Sequence, residues 1–211
     1  MTNQAQRERA ALSDTLLAVG PEAPTLCEGW LARDLAAHLV LREHRPLASV
    51  GIWAAPMRSY TQKVQDELAA QPWEDLVALV RAHPPRWSPA GWSTKVEQLV
   101  DGGELFIHHE DLRRGDGVPR PRELSREDQD ALWATLRGTG KLAFRKSPVG
   151  VIIDVPGRES TPIKGGDRTV TIRGAVGEVL LASSGRARAA EIDLLGRPED
   201  VARLQATPLG L

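Results

Sequence analysis

The chain has 211 residues, enough for one large hydrophobic core or two small ones, because domains usually contain about 100–150 residues. Its formal net charge is −1, with acidic and basic residues interspersed, which argues against a nucleic-acid-binding or membrane-surface protein. A single cysteine, Cys27, excludes an internal disulfide and a zinc site built of several thiolates, so any metal must use histidine and carboxylate ligands.

The first ten residues are polar and charged where a secretory signal would be apolar. No apolar run approaches the ~18–20 residues that a membrane span needs. The sequence therefore predicts a cytoplasmic protein. Arginine greatly outnumbers lysine, and alanine, glycine and proline are abundant, a bias typical of high-GC genomes such as those of actinobacteria.

Helical periodicity dominates the first two thirds of the chain. In residues 30–45, Leu31, Leu35 and Leu39 recur at every fourth position, and Pro46 stops the pattern. Similar apolar spacing, with glycine or proline as stop signals, predicts the remaining helices. They cover residues 7–19, 60–70, 73–82, 94–114 and 125–144. We expect these segments to form an all-α bundle of about four to six helices.

The pattern changes beyond Pro148. Residues 149–155 are rich in β-branched side chains, and residues 169–173 alternate valine and isoleucine with threonine and arginine, as strands do. A short helix over 177–184, a strand over 190–195 and a final helix over 198–206 follow. The sequence therefore predicts an α+β protein of two domains, with a helical bundle over residues 1–145 and a small β-β-α-β-α domain over residues 146–211.

One pair of residues has the spacing of a metal site. Glu104 and His108 stand at i and i+4 on a predicted helix, so both side chains can reach the same ion. His38, from another helix, would supply a third ligand and leave one coordination position for water or substrate, as in catalytic zinc sites. His109 points about 140° away from Glu104 and is expected to pack or form hydrogen bonds instead. An i, i+4 Glu-His pair is also common on solvated helix faces, so spacing alone leaves a structural role open.

Gly102 and Gly103 stand immediately before Glu104 inside the predicted helix, where each glycine costs about 0.5–1 kcal/mol relative to alanine. Two explanations fit this pair. Either the glycines permit close approach of a neighbouring helix, or Glu104 lies near the true start of its helix.

Two stretches carry a resemblance to a known family. Residues 25–40, TLCEGWLARDLAAHLV, and residues 104–114, ELFIHHEDLRR, resemble the signature of the mycothiol-dependent maleylpyruvate isomerase family, a branch of the DinB-like metal-binding bundles. The resemblance implies a divalent metal, commonly zinc, on His38, Glu104 and His108. Residues 148–155 and 174–181 are similar to the sterol-carrier-like domain attached to these bundles, so the resemblance spans nearly the whole chain.

Four further residues have open roles. Three roles fit Asp111: it orients a metal-bound histidine, it is a fourth ligand, or it forms a plain surface ion pair near Arg114. Arg113 and Arg114 would hold an acidic substrate, although arginine near a helix C-terminus is explained by the helix dipole alone. Cys27 would approach the site as nucleophile or ligand, or be buried and inert.

The leading hypothesis is an isomerase or transferase that uses a divalent metal, most simply zinc, and a thiol cofactor such as mycothiol. An ion with an open position would bind the thiol as a thiolate at neutral pH, and the thiolate would attack a small electrophilic substrate. Metal-dependent hydrolysis with Asp111 or Glu110 as base is an alternative. So is a non-catalytic protein with a structural metal and a small-molecule-binding C-terminal domain. The expected partner is a small molecule, with no nucleic acid and no membrane.

Overall fold

The computed structural model describes residues 2–52 and 54–210. The chain divides into two compact units, Met1–Asp116 and Gly117–Leu211. In the described residues, the first unit has helices and one isolated β-bridge between Pro24 and Leu31, and the second combines helices with a four-stranded mixed sheet, so the architecture is α+β. None of the described helices combines the length and apolarity required to cross a bilayer.

The first unit is built of helices, and three of the long ones begin or end at capping residues or a proline in the sequence. An Asn3 capping box starts the first helix, Ser93 caps the last one, and the second stops just before Pro46. Residues 46–49 add one short helix that the apolar pattern does not predict. The described helices are α1 (Gln4–Val19), α2 (Ala32–His44), α3 (Pro46–Ser49), α4 (Arg58–Ala69), α5 (Trp73–Arg81) and α6 (Thr94–Arg113).

The core of this unit lies between α1, α2, α4, α5 and α6. Leu12, Leu35, Leu76 and Leu105 are each fully buried there, one from each of four helices. Burying a leucine side chain contributes roughly 1.5–3 kcal/mol, so this shared cluster holds α2 and α6 in fixed positions. Those two helices carry the predicted metal ligands.

Gly102 lets α1 approach α6. The helix runs without interruption through this residue, and a Cβ atom there would clash with the Gln98 side chain of α6 and lie 2.8 Å from the Gln4 side chain of α1. The Gln4 amide in turn donates to the Gly102 carbonyl oxygen over 3.3 Å. At Gly102 the structure therefore supports close helix approach, and the second explanation is wrong because Glu104 lies well inside α6.

The second unit is built on a sheet with strand order β2-β1-β3-β4. β1 pairs with β3 in parallel, and the two outer pairings are antiparallel. Val170 and Ile172 are buried while their neighbours on the strand face outward, as the alternation predicts. The strands are β1 (Gly150–Asp154), β2 (Thr161–Lys164), β3 (Thr169–Arg173) and β4 (Asp193–Leu195), and the helices of this unit are α7 (Arg126–Ala143), α8 (Val176–Leu181) and α9 (Pro198–Gln205).

The second unit differs from the sequence prediction in the number of its strands and in the residue at which it begins. β2 is an additional strand, so the order after α7 is β-β-β-α-β-α rather than β-β-α-β-α. It is short and contains Pro162, which an edge strand tolerates but which weakens its pattern in the sequence. The border between the units lies at residues 116 and 117 rather than at 145 and 146, because α7 contacts α8 and β2.

Candidate metal centre

The predicted ligands lie close together on the two core helices of the first unit. His38 projects from α2, and Glu104 and His108 lie one turn apart on α6. The ring centroids of His38 and His108 are 5.3 Å apart, with the planes inclined by 72°. Nε2 of His108 lies 3.6 Å from Oε2 of Glu104. Two ligands of a tetrahedral zinc ion are about 3.3 Å apart at ~2.0–2.1 Å bond lengths, so these two atoms are close to the required separation.

The ionisation states of two ligands suit a metal ion. Burial, with the charges of His108 and Arg42, outweighs the charge of Glu104 and a hydrogen bond with Gln65 and lowers the pKa of His38 to about 3, so its imidazole is neutral. Burial alone would raise the pKa of Glu104, but contact with His108 and the Arg42 charge outweigh it and lower that pKa to about 2. At neutral pH the site therefore offers a neutral imidazole and an ionised carboxylate.

His108 carries a proton that a metal would displace. Burial by itself lowers the pKa of this imidazole, but hydrogen bonds with Asp111, Cys27 and Glu104 dominate and hold it well above the usual value. Metal binding at Nε2 would therefore release a proton, as it does wherever a ligand must be deprotonated first.

A hydrogen-bonded chain lies behind His108. Its Nδ1 is 3.0 Å from Oδ2 of Asp111, and the Cys27 thiol donates to the same oxygen over 3.2 Å. Asp111 is fully buried, so the surface ion pair considered from the sequence is wrong. A carboxylate on the far nitrogen of a histidine fixes the tautomer and the ring orientation of a metal ligand. Asp111 is placed for that role.

Among the described residues, the potential ligand atoms that lie within 4.8 Å of one another belong to Cys27, His108 and Asp111. His38 and Glu104 fall outside this compact group, and Glu104 lies on the Nε2 side of the His108 ring. His108 is thus flanked by two sets of donors. The assignment of the ion to His38, Glu104 and His108 remains a prediction.

Two residues of the centre were missed in the sequence. The Arg42 guanidinium donates to Oε2 of Glu104 over 2.8 Å, and its position four residues after His38 on the same helix was the available signal. Trp30 lies against His38 with ring centroids 5.0 Å apart. Its place just before α2 gave no indication of that contact, because the loop conformation sets it.

The other candidates have structural roles. Arg113 and Arg114 both bind the carboxylate of Glu110, and Arg114 and Glu110 are completely buried. These contacts do not support the substrate-binding role considered for the two arginines, nor the role of Glu110 as a general base. His109 bridges Thr15 and Glu8 of α1, which confirms that it is a hydrogen-bonding residue.

Together these features define an α+β protein whose helical unit presents a partly buried His/Glu/His group backed by a carboxylate and a thiol. No protein-family model matches the sequence, and no curated protein matches it. Two solved structures are similar in fold, both of a mycothiol-dependent maleylpyruvate isomerase, one with a histidine replaced by alanine. TM-scores are 0.59 for the unsubstituted protein and 0.61 for the variant, with 18% identity over 90% of each chain. At this identity the comparison shows the shared fold.

Proposed function

We propose that the protein is an isomerase or transferase that depends on a divalent metal ion and a low-molecular-weight thiol, and that acts on a small electrophilic substrate. The observation that carries the proposal is the position of Glu104 and His108, whose ligand atoms are 3.6 Å apart with the His38 ring facing His108. The printed names of the similar structures, which describe a mycothiol-dependent isomerase, support the thiol as the second component.

The residues of the centre fit a divalent ion such as zinc by their chemistry. His38 and His108 would supply nitrogen ligands and Glu104 an oxygen ligand, which is the set of catalytic zinc sites that keep an open position. When bound, the ion supplies a Lewis-acid position that lowers the pKa of a thiol or water molecule. Mycothiol or a similar thiol is the cofactor that this proposal implies, and a reducing cytoplasm is where such thiols stay active.

The surrounding side chains have distinct tasks in this proposal. Asp111 orients His108 and keeps its proton on Nδ1, so that Nε2 faces Glu104. Arg42 holds the Glu104 carboxylate in place through one charged hydrogen bond. Trp30 lies against His38, where its ring would limit access of water to that ligand. None of these tasks requires a hydrolytic base, and the paired and buried Glu110 is poorly suited to be one.

Cobalt substitution tests the proposal. The Cys27→Ser variant is loaded with Co²⁺ and titrated with N-acetylcysteine, so that any sulfur-to-cobalt charge-transfer band must come from the added thiol. We expect such a band to develop, and we expect Glu104→Gln in the same background to weaken it strongly. A saturating thiol concentration that leaves the cobalt spectrum unchanged would contradict thiol dependence. A Co²⁺ content unaffected by Glu104→Gln would contradict the ligand assignment.

A further inference from the structure

The Nδ1 side of His108 has a donor set of its own. The Cys27 thiol, the Asp111 carboxylate and the His108 ring nitrogen lie within 4.8 Å of one another. Asp111 is fully buried, His108 is 7% exposed, and Cys27 is half-buried. Thiolate, carboxylate and imidazole are three ligand types that zinc-like ions accept, and here they come from two separate segments of the chain.

The geometry of this group is fixed by the backbone on both sides. Asp111 and His108 are three residues apart on α6. The loop that carries Cys27 is tied to the same helix, because the Leu26 amide donates to the Asp111 carbonyl oxygen over 2.9 Å. Within the loop, the Cys27 amide donates to Oγ1 of Thr25. The three donors are therefore held in place without an ion.

Their separations nearly match those of a tetrahedral ion. Around zinc, a sulfur and an oxygen ligand would be about 3.6 Å apart, and a nitrogen and an oxygen ligand about 3.3 Å. The observed distances are 3.2 Å from Cys27 Sγ to Asp111 Oδ2 and 3.0 Å from His108 Nδ1 to the same oxygen. For these two pairs, an ion would need to push the donors apart by only a few tenths of an ångström.

We propose that Cys27, Asp111 and Nδ1 of His108 form a second binding position for a thiophilic divalent ion, such as Zn²⁺, Cd²⁺ or Co²⁺. Hard ions such as Mg²⁺ and Ca²⁺ are disfavoured by the sulfur ligand. Binding forms bonds from the ion to sulfur, oxygen and nitrogen. The protons of the Cys27 thiol and of His108 Nδ1 leave to solvent, with no change in oxidation state.

This second position competes with the proposed catalytic one. A neutral imidazole has one lone pair, so His108 binds an ion through Nε2 or through Nδ1, not through both. An ion bound by Cys27, Asp111 and Nδ1 of His108 therefore leaves His108 unable to bind an ion together with His38 and Glu104. An excess of a thiophilic ion is then expected to inhibit the enzyme. This inhibition rests on the proposed function, whereas the existence of the second binding position does not rest on it.

The test uses Co²⁺ in the absence of any added thiol, with a phosphine as reductant. Wild-type protein is expected to show a sulfur-to-cobalt charge-transfer band. The His38→Ala variant should show it too, because His38 is a ligand of the proposed catalytic position and not of the second one. Cys27→Ser is expected to lose the band. No band in wild type at saturating Co²⁺, or a band that survives in Cys27→Ser, would overturn the proposal.

Alkylation of the unmodified protein provides a check that needs no variant. Cys27 is the single cysteine of the chain, so its reaction with iodoacetamide reports on this position alone. We expect Cd²⁺ to slow the alkylation by more than about tenfold, equivalent to ~1.4 kcal/mol of protection, and Mg²⁺ to leave it unchanged. Equal rates with and without Cd²⁺ would refute the position. The thiol titration in Cys27→Ser fails or succeeds independently of this result.

Discussion

The Nδ1 atom of His108 lies 3.0 Å from the Asp111 carboxylate, and both residues are buried in the last turns of α6. The pair is three residues apart, so one helix provides both the candidate ligand and the group that orients it. The opposite nitrogen of the same ring faces Glu104. This arrangement makes the orientation of one imidazole the feature on which the proposed metal centre depends.

Replacing Asp111 by asparagine is expected to weaken metal binding. The amide cannot hold the His108 tautomer as the carboxylate does, and loss of such a partner typically lowers metal affinity by about 10–100-fold. Isothermal titration with Zn²⁺ measures the change, with Asp66→Asn on an exposed face of α4 as the matched control. An unchanged affinity in folded Asp111→Asn would show that Asp111 does not act through His108.

Chelation is expected to remove the ion without unfolding the protein. The leucine-rich core of the first unit does not include the three ligands, so a catalytic ion contributes to stability only through mass action. Differential scanning calorimetry with and without EDTA should show a shift of a few degrees and one unchanged main transition, together with complete loss of thiol-dependent turnover. Collapse of the α-helical circular dichroism signal on chelation would instead indicate a structural ion.

Stability is expected to fall as pH rises through the neutral range because of Glu43. Burial, opposed only in part by Arg9, raises the pKa of this carboxyl from 4.5 to about 7. The folded state therefore binds more protons than the unfolded state between these values, so the free energy of unfolding decreases from about pH 4.5 to about pH 7, by up to ~3 kcal/mol from this group.

The Glu43→Gln variant should show a smaller decline in the same range, measured by urea unfolding at about pH 5 and about pH 8. Glu67→Gln is the control, because that side chain is 64% exposed. A decline of equal size in wild type and Glu43→Gln would contradict the assignment.

Removal of the Arg114 side chain is expected to destabilise the fold. Arg114→Met leaves the buried Glu110 carboxylate without the 2.6 Å contact to Nε, and breaking a buried ion pair typically costs about 3–5 kcal/mol. Arg113→Met should cost less, because that side chain is 24% exposed. Equilibrium unfolding measures both. If Arg114→Met keeps wild-type stability but raises KM for an anionic substrate, the structural assignment of this arginine is wrong.

Local patterns predicted much of the helical unit, and tertiary contacts account for what they missed. The Leu31, Leu35, Leu39 repeat and the stop at Pro46 defined α2 because both act within a few residues. The role of Asp111 in orienting a metal-bound histidine was one of three roles left open by the sequence, and it was available because the spacing to His108 is local. The approach of Cys27 to Asp111 joins residues 84 positions apart, and no periodicity encodes such a contact.

The sheet unit was harder to predict because its edge strand is short. β2 forms because it pairs with β1. Its own residues give little indication of a strand, since Pro162 is unfavourable in most strands. α7 has an ordinary amphipathic pattern, so the sequence alone could not assign it to the bundle or to the sheet. Its contacts with α8 and β2 assign it to the unit that contains the sheet.

The central claim is that His38, Glu104 and His108 bind one ion. Crystals of Cys27→Ser soaked in Zn²⁺ and measured at the zinc absorption edge test it most directly, since this variant lacks the competing sulfur ligand. We predict one strong anomalous peak at ~2.0–2.2 Å from the two imidazole nitrogens and the Glu104 oxygen. A peak bound to other side chains, or none at these three residues under saturating zinc, would contradict the claim.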